Sequence, residues 1–255
     1  ERDNTAGYNC SYLPVDDPKS FDEAMFILLC GTGVGFSVER QFIQQLPEVP
    51  ELFESETMIV VKDSKEGWAK AYRQLLALLW AGEIPKWDVS RVRPAGARLK
   101  TFGGRASGPA PLVELFNFTV TTFKLAQGRK LSSMECHDLM CFIGQIVVVG
   151  GVRRSAMISL SNLSDDRMRH AKSGQWWETA PHRALANNSV SYTEKPDIET
   201  FMREWTALVE SKSGERGIFN REASKAQAAK YGRRDPDWQF GTNPCSEIIL
   251  RPYQF

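Results

Sequence analysis

The chain is expected to fold as an α/β protein: helical and strand patterns alternate along it, no repeat or low-complexity tract interrupts them, and its composition is that of a globular chain. Its 255 residues, 42% apolar and 25% charged, suffice for one large domain or two modest ones. Thirty-two basic residues against 31 acidic ones leave a formal charge of +1, so no electrostatic footprint points to nucleic acid or an anionic membrane. The pairs Arg153-Arg154 and Arg233-Arg234 read as solvated or ion-paired surface. The longest apolar run, residues 142–149, is broken by Gly144 and Gln145 and is too short to cross a bilayer. Residues 1–8 lack the apolar core of a secretory signal, so a cytoplasmic chain without membrane or nucleic-acid partners is expected. Five cysteines, at 10, 30, 136, 141 and 245, show no CxxC pair and no zinc-type Cys/His spacing, so those that matter should act as reactive thiols.

Each element has its own signal. Ser20-Phe21-Asp22-Glu23 reads as a capping box opening a helix that Gly31 stops. Residues 58–61 form a β-branched run suited to a buried strand. Ser64 opens a helix carrying Trp68, Ala71, Tyr72, Leu75, Leu76 and Leu79 at helical spacing, closed by Gly82 and Pro85. A short strand is expected at 87–92, a glycine-rich basic loop at 93–109, and helices at 111–126 and 133–149, the second introduced by the capping box Ser132-Ser133-Met134-Glu135. A strand at 156–160, a helix at 197–212 built on Phe201, Trp205, Leu208 and Val209, and a short strand at 217–219 follow.

The most informative segment is Gly241-Thr242-Asn243-Pro244-Cys245-Ser246-Glu247, a polar stretch ahead of the apolar Ile248-Ile249-Leu250 that places the cysteine on a turn beside a buried strand. If the segment is extended, Asn243, Cys245 and Glu247 share one face, since side chains alternate with period two. A thiol can exchange a hydrogen atom, a carboxylate can take a proton and an amide can orient a hydroxyl, a set suited to chemistry on a diol. A single cysteine in a strand turn is also commonly a core residue, and the residues alone leave both readings open.

Residues 242–247 are similar to the finger-loop signature of ribonucleotide reductases, and further blocks fit in order. Asn9-Cys10-Ser11 and Gly31-Thr32-Gly33-Val34-Gly35-Phe36-Ser37-Val38 resemble the family's first redox cysteine and the glycine-rich strand after it. Arg93-Pro94-Ala95-Gly96 through Phe102-Gly103-Gly104 and Ser107-Gly108-Pro109 resembles the loop that passes the specificity signal to the substrate pocket. Val152-Arg153-Arg154-Ser155-Ala156, Leu185-Ala186-Asn187-Asn188-Ser189-Val190 and Gly217-Ile218-Phe219-Asn220 complete the series, which looks most like the adenosylcobalamin-dependent branch. Gly151, usually asparagine there, and Ser246, often glycine, are departures that touch no implied catalytic group.

The resemblance implies that residues 1–255 are a partial catalytic domain: the first half of a ten-stranded α/β barrel plus the start of the finger loop, the second half being absent. It implies a thiyl radical on Cys245 that takes the ribose 3′-hydrogen, Glu247 as general base, Asn243 holding the sugar, and Cys10 as one of two thiols that end as a disulfide. It implies adenosylcobalamin as cofactor, bound mostly outside this stretch, with a ribonucleotide substrate, a deoxynucleotide effector and a thioredoxin-like or dithiol reductant. The second redox cysteine is expected just past Phe255, so the chain alone should be inactive, and a split or intein-interrupted gene is expected to account for the endpoint. The alternatives are the large subunit of a metal-dependent (class I) reductase, which takes its radical from another protein, and an inactive nucleotide-binding fragment of the same fold.

The remaining motifs read as structure. Gly31, Gly33 and Gly35 match neither GxGxxG nor a P-loop and indicate close backbone packing. Cys30, Cys136 and Cys141 read as core residues, Met134, Met140, Phe142 and Ile143 as a packed helix face. His137, His170 and His182 are scattered in sequence and suggest neither a metal site nor a catalytic role.

Overall fold

The computed structural model describes residues 4–99, 105–149 and 156–255. Along the chain lie β1 (Cys10–Pro14), α1 (Lys19–Leu29), β2 (Gly33–Ser37), α2 (Arg40–Ile43), β3 (Phe53–Val60), α3 (Lys65–Trp80), β4 (Glu83–Asp88), α4 (Ala110–Leu125) and α5 (Ser133–Val149). Then come β5 (Met157–Asn162), α6 (Asp166–Arg169), α7 (Trp176–Thr179), β6 (Ala186–Tyr192), α8 (Ile198–Ser211), β7 (Gly217–Asn220), α9 (Arg221–Lys230), β8 (Gly241–Thr242) and β9 (Ile249–Leu250). The expected α/β class holds: a sheet in the order β1-β2-β5-β6-β7 pairs in parallel throughout, each neighbouring pair joined by a crossover containing helix.

Strand periodicity divides the sheet into two faces. Leu13, Val34, Phe36, Met157 and Ala186 join Leu28, Tyr72, Leu75, Phe116, Leu139 and Ile143 of the covering helices in the main core. Tyr12, Leu160 and Phe219 belong instead to a small cluster with Leu250. The parallel pair β3 and β4, joined by α3, forms a separate two-stranded sheet that lies between α2 and α4 along the chain.

Helix ends follow the sequence where a side chain can reach a free N–H. Ser64 accepts from Gly67 N, Asp197 accepts from Thr200 N, and Ser132 and Glu135 make both bonds of the expected capping box. The box at Ser20 does not form: α1 starts at Lys19, Asp17 accepts from Lys19 N, and the Ser20 hydroxyl donates to Pro14 O. The strand expected at 87–92 begins at Glu83, with Pro85 inside it. That proline sits in a two-stranded sheet, where a missing N–H can face away from the partner strand.

A larger correction concerns α8. Its apolar residues were expected to face the core, yet Trp205 is 49% and Val209 60% exposed, while Glu204 and Ala207 are buried. The buried side is organised by charge: Glu204 accepts from Arg216 Nε at 2.5 Å and Nη2 at 2.8 Å and from Arg169 Nε at 2.8 Å. Arg216 also donates to Ser161 Oγ, Asn162 O and Leu163 O, tying α8 to the end of β5. Arg234, expected on a solvated or ion-paired surface, is half-buried and donates to Ile249 O at 2.7 Å.

Burial alone would raise the Glu204 carboxyl, but Arg216 and then Arg169 outweigh it and hold it below the ordinary value of 4.5. A carboxyl depressed on folding contributes stability that is complete above the unfolded value and lost as pH falls through the folded one. Glu204→Gln, leaving two buried guanidinium groups underpaired, is therefore expected to lower the unfolding free energy by about 3–5 kcal/mol at neutral pH. In denaturant titrations that deficit should shrink as the pH drops below 4.5.

Candidate active site

The site is built on two glycines of β2. In register, Gly33 lies opposite Cys10, and Gly35 lies between Tyr12 and Ile158. A Cβ on Gly35 would fall onto the Thr242 carbonyl, and one on Gly33 would lie 2.9 Å from the Pro244 ring. Backbone can therefore lie directly on the sheet here, as the close-packing reading of these glycines requires. Gly31 serves differently: at φ +89 with open space around it, it ends α1.

The segment resting on this floor is a short hairpin in which Gly241 pairs with Leu250 and Thr242 with Ile249. Gly241 packs against the Tyr12 ring, leaving no room for a side chain. Asn243 closes the loop: its N–H donates to Ile248 O at 3.3 Å, its Oδ1 accepts from Ile248 N at 3.0 Å, and its carbonyl accepts from Ser246 N at 3.0 Å. Ser246 has φ 67, in the left-handed region that favours glycine.

Residues 243–247 are thus a turn rather than an extended run, and the shared face expected for Asn243, Cys245 and Glu247 does not form. Asn243 is fully buried and turned inward, whereas Cys245 and Glu247 are exposed at the tip. The inward turn brings together two residues 233 positions apart: Asn243 Nδ2 donates to Cys10 Sγ at 3.2 Å. Cys10, half-buried at the start of β1, is also approached by Asn9 Nδ2 at 3.5 Å. The result is a thiol held by an amide within the sheet, with a second thiol and a carboxylate free at the end of the same hairpin.

Cys30, Cys136 and Cys141 are buried, as expected of core residues, and burial pushes the Cys136 thiol up. Two of the histidines are not scattered in space. His137 bridges Asp138 and Asn188 at 3.2 and 3.0 Å, while His182 Nε2 lies 3.3 Å from the same Asp138, which Arg183 also pairs. Burial works against charge on the His137 ring, but Cys141 and Asp138 outweigh it and raise its pKa to about 10. Among the described residues no group of three or more His, Cys, Asp or Glu is arranged to hold a metal ion, and no helix is long and apolar enough to cross a membrane. Of the blocks singled out in the sequence, residues 100–104 and 151–155 lie outside the described residues.

Residues 39–122 match the insertion-domain model of B12-dependent ribonucleotide reductases. The adenosylcobalamin-dependent ribonucleoside-triphosphate reductase of Lacticaseibacillus paracasei is 32% identical over 95% of this chain and 37% of its own length. That of Lactobacillus leichmannii is 32% identical over 90% of the chain and 35% of its own length. A crystal structure of a B12-dependent (class II) ribonucleotide reductase superposes with a TM-score of 0.81 and 26% identity, covering 96% of this chain and 41% of that one. Nearly the whole chain therefore resembles part of the B12-dependent ribonucleotide reductases. It spans little more than a third of the curated relatives' length.

Within the chain, the insertion-domain match covers α2 to most of α4, including the separate β3 and β4 sheet. The sequence reading had not set that segment apart, because its helices carry the same core-facing periodicity as the rest. Glu39 and Arg221, which join the hairpin's root to the sheet, were missed as well, since residues 182 positions apart leave no local signal.

Gly35→Ala is expected to displace the hairpin and destabilise the fold by about 1–3 kcal/mol, the usual range for overpacking. Gly7→Ala, whose Cβ would meet nothing within 4 Å, is the control and should leave thermal unfolding unchanged.

Proposed function

We propose that this chain forms part of the catalytic barrel of an adenosylcobalamin-dependent ribonucleotide reductase, converting ribonucleotides to deoxyribonucleotides. The observation that carries the proposal is the 3.2 Å contact between Asn243 and Cys10, made by a hairpin whose tip presents Cys245 and Glu247. The names of the relatives favour a ribonucleoside triphosphate as substrate.

The exposed Cys245 thiol fits the cofactor's chemistry, because a hydrogen-atom donor at an accessible tip can be oxidised by a radical formed beside it. Adenosylcobalamin, when bound, would supply radical chemistry able to take a hydrogen atom from the Cys245 thiol. Cys245, having given up its hydrogen atom, takes the 3′-hydrogen of the ribose and returns it once C2′ has been reduced. Glu247 accepts the 3′-hydroxyl proton, which eases departure of the 2′-hydroxyl as water. Asn243 has its Oδ1 committed to Ile248 N and its Nδ2 directed at Cys10, so its amide is held in one orientation toward the redox thiol. Cys10 and a second thiol supply two electrons and two protons and end as a disulfide, which balances loss of water and gain of a C–H bond. A thioredoxin-like or dithiol reductant then restores the thiols, and a deoxynucleotide effector sets substrate choice, in a cytoplasmic enzyme.

The test is ribonucleotide reduction by the full-length protein carrying this chain, with adenosylcobalamin and a dithiol. Cys245→Ala should abolish turnover while nucleotide binding survives, and Glu247→Gln should lower kcat by about 10²–10⁴. Full activity of Cys245→Ala would refute the assignment.

A further inference from the structure

The root of the hairpin is held by an ion pair from which water is excluded. Arg221 and Glu39 side chains are both 0% exposed, and they meet in a fork: Nη1 to Oε1 at 2.8 Å and Nη2 to Oε2 at 2.6 Å. A third donor, Arg221 Nε, goes to Phe240 O at 2.7 Å, the residue immediately before β8. Glu39 follows β2, the strand that supplies the glycine floor, and is itself fixed by Ser37 Oγ at 2.7 Å and Gln41 Nε2 at 3.0 Å. Arg221 opens α9 directly after β7. One pair therefore connects the floor strand, the far edge strand and the entrance of the hairpin. The exit is held separately, by Arg234 donating to Ile249 O while its guanidinium lies 5.7 Å from the Phe240 ring centroid.

Such a pair is a poor source of stability, since apolar side chains of similar volume commonly stabilise as well or better. What it supplies is direction: a planar guanidinium engaged on both sides fixes the Phe240 carbonyl in distance and angle. From there to Cys245 the path is stiff, through the paired Gly241 and Thr242, the closed Asn243 and a proline. A shift at the root is passed on to the thiol.

We infer that Arg221 and Glu39 are positioning residues for the radical chemistry, setting where the Cys245 thiol stands relative to substrate without touching either. This rests on the proposed role of Cys245, and the tests below separate the two. In the full-length protein, the double variant Glu39→Gln/Arg221→Met removes both buried charges at once and so leaves none uncompensated. It is expected to fold and to lose at least about tenfold in kcat, because small misplacements of reacting groups carry large rate penalties. KM should stay within about twofold, since binding of the resting substrate is not what the anchor controls. Independently of turnover, the iodoacetamide alkylation rate of Cys245, read by mass spectrometry, should change by about threefold or more as the thiol leaves its place on the turn.

Parent-like kcat together with a parent-like alkylation rate in the folded double variant would overturn the inference. Should the double variant not fold, Arg221→Lys keeps the buried charge but cannot serve Glu39 and Phe240 together, and parent-like values there would overturn it equally. If Cys245→Ala proves active, the reductase reading falls, whereas the alkylation rate still decides whether the anchor sets the hairpin.

Discussion

Everything in this structure that bears on chemistry depends on a place where side chains are absent. Gly33 and Gly35 leave a groove in the middle of a parallel sheet, and the backbone of Thr242 and ring of Pro244 fill it. Glycine weakens a strand through its backbone entropy, but β2 is paired on both sides by β1 and β5, so the ladder can absorb that loss. Without the groove, the hairpin would ride higher by a side-chain layer, and Asn243 would not reach Cys10. The contact between residues at opposite ends of the chain is thus a consequence of hydrogen atoms standing where methyl groups would be.

Around that floor, buried charge is used to aim elements rather than to hold the core. Glu204 gathers Arg169 and Arg216 where α6, α8 and the end of β5 converge. Asp138 gathers His137, His182 and Arg183, and through His137 reaches Asn188 on β6. Glu39 and Arg221 do the same at the root of the hairpin. Each carboxylate is met by several donors, which low-dielectric surroundings demand, and each joins segments that the apolar core alone would leave free to slide. The apolar contacts are strong but non-directional; these three clusters supply orientation.

Much of the architecture was legible because it is local. Ser132 and Glu135 announce α5 to the residue, and Ser64 and Asp197 announce α3 and α8, since a cap and its recipient N–H lie within one turn. Ser20 misled because its hydroxyl found the Pro14 carbonyl, a competing partner that no helix pattern foretells. Trp205 and Val209 misled for another reason: an amphipathic pattern names a face without saying what covers it, and here Glu204 took the inner side. At the site, the sequence supplied the residues but not their posture. Alternation along Asn243, Cys245 and Glu247 presumes an extended backbone, and the left-handed conformation at Ser246 removes it. The Asn243 to Cys10 contact and the Glu39 to Arg221 pair join residues too distant for any spacing rule, and only the folded sheet brings them into register.

The central claim is that the docked hairpin couples Asn243 to Cys10, and a double-mutant cycle reads that coupling without reference to activity. Cys10→Ala, Asn243→Ala and the double substitution, compared by denaturant unfolding, should show an interaction free energy of about 0.5–1.5 kcal/mol, the range for a hydrogen bond between partly buried groups. Substitution effects that simply add, within about 0.3 kcal/mol, would mean that the two side chains do not meet, and the site described here would not exist.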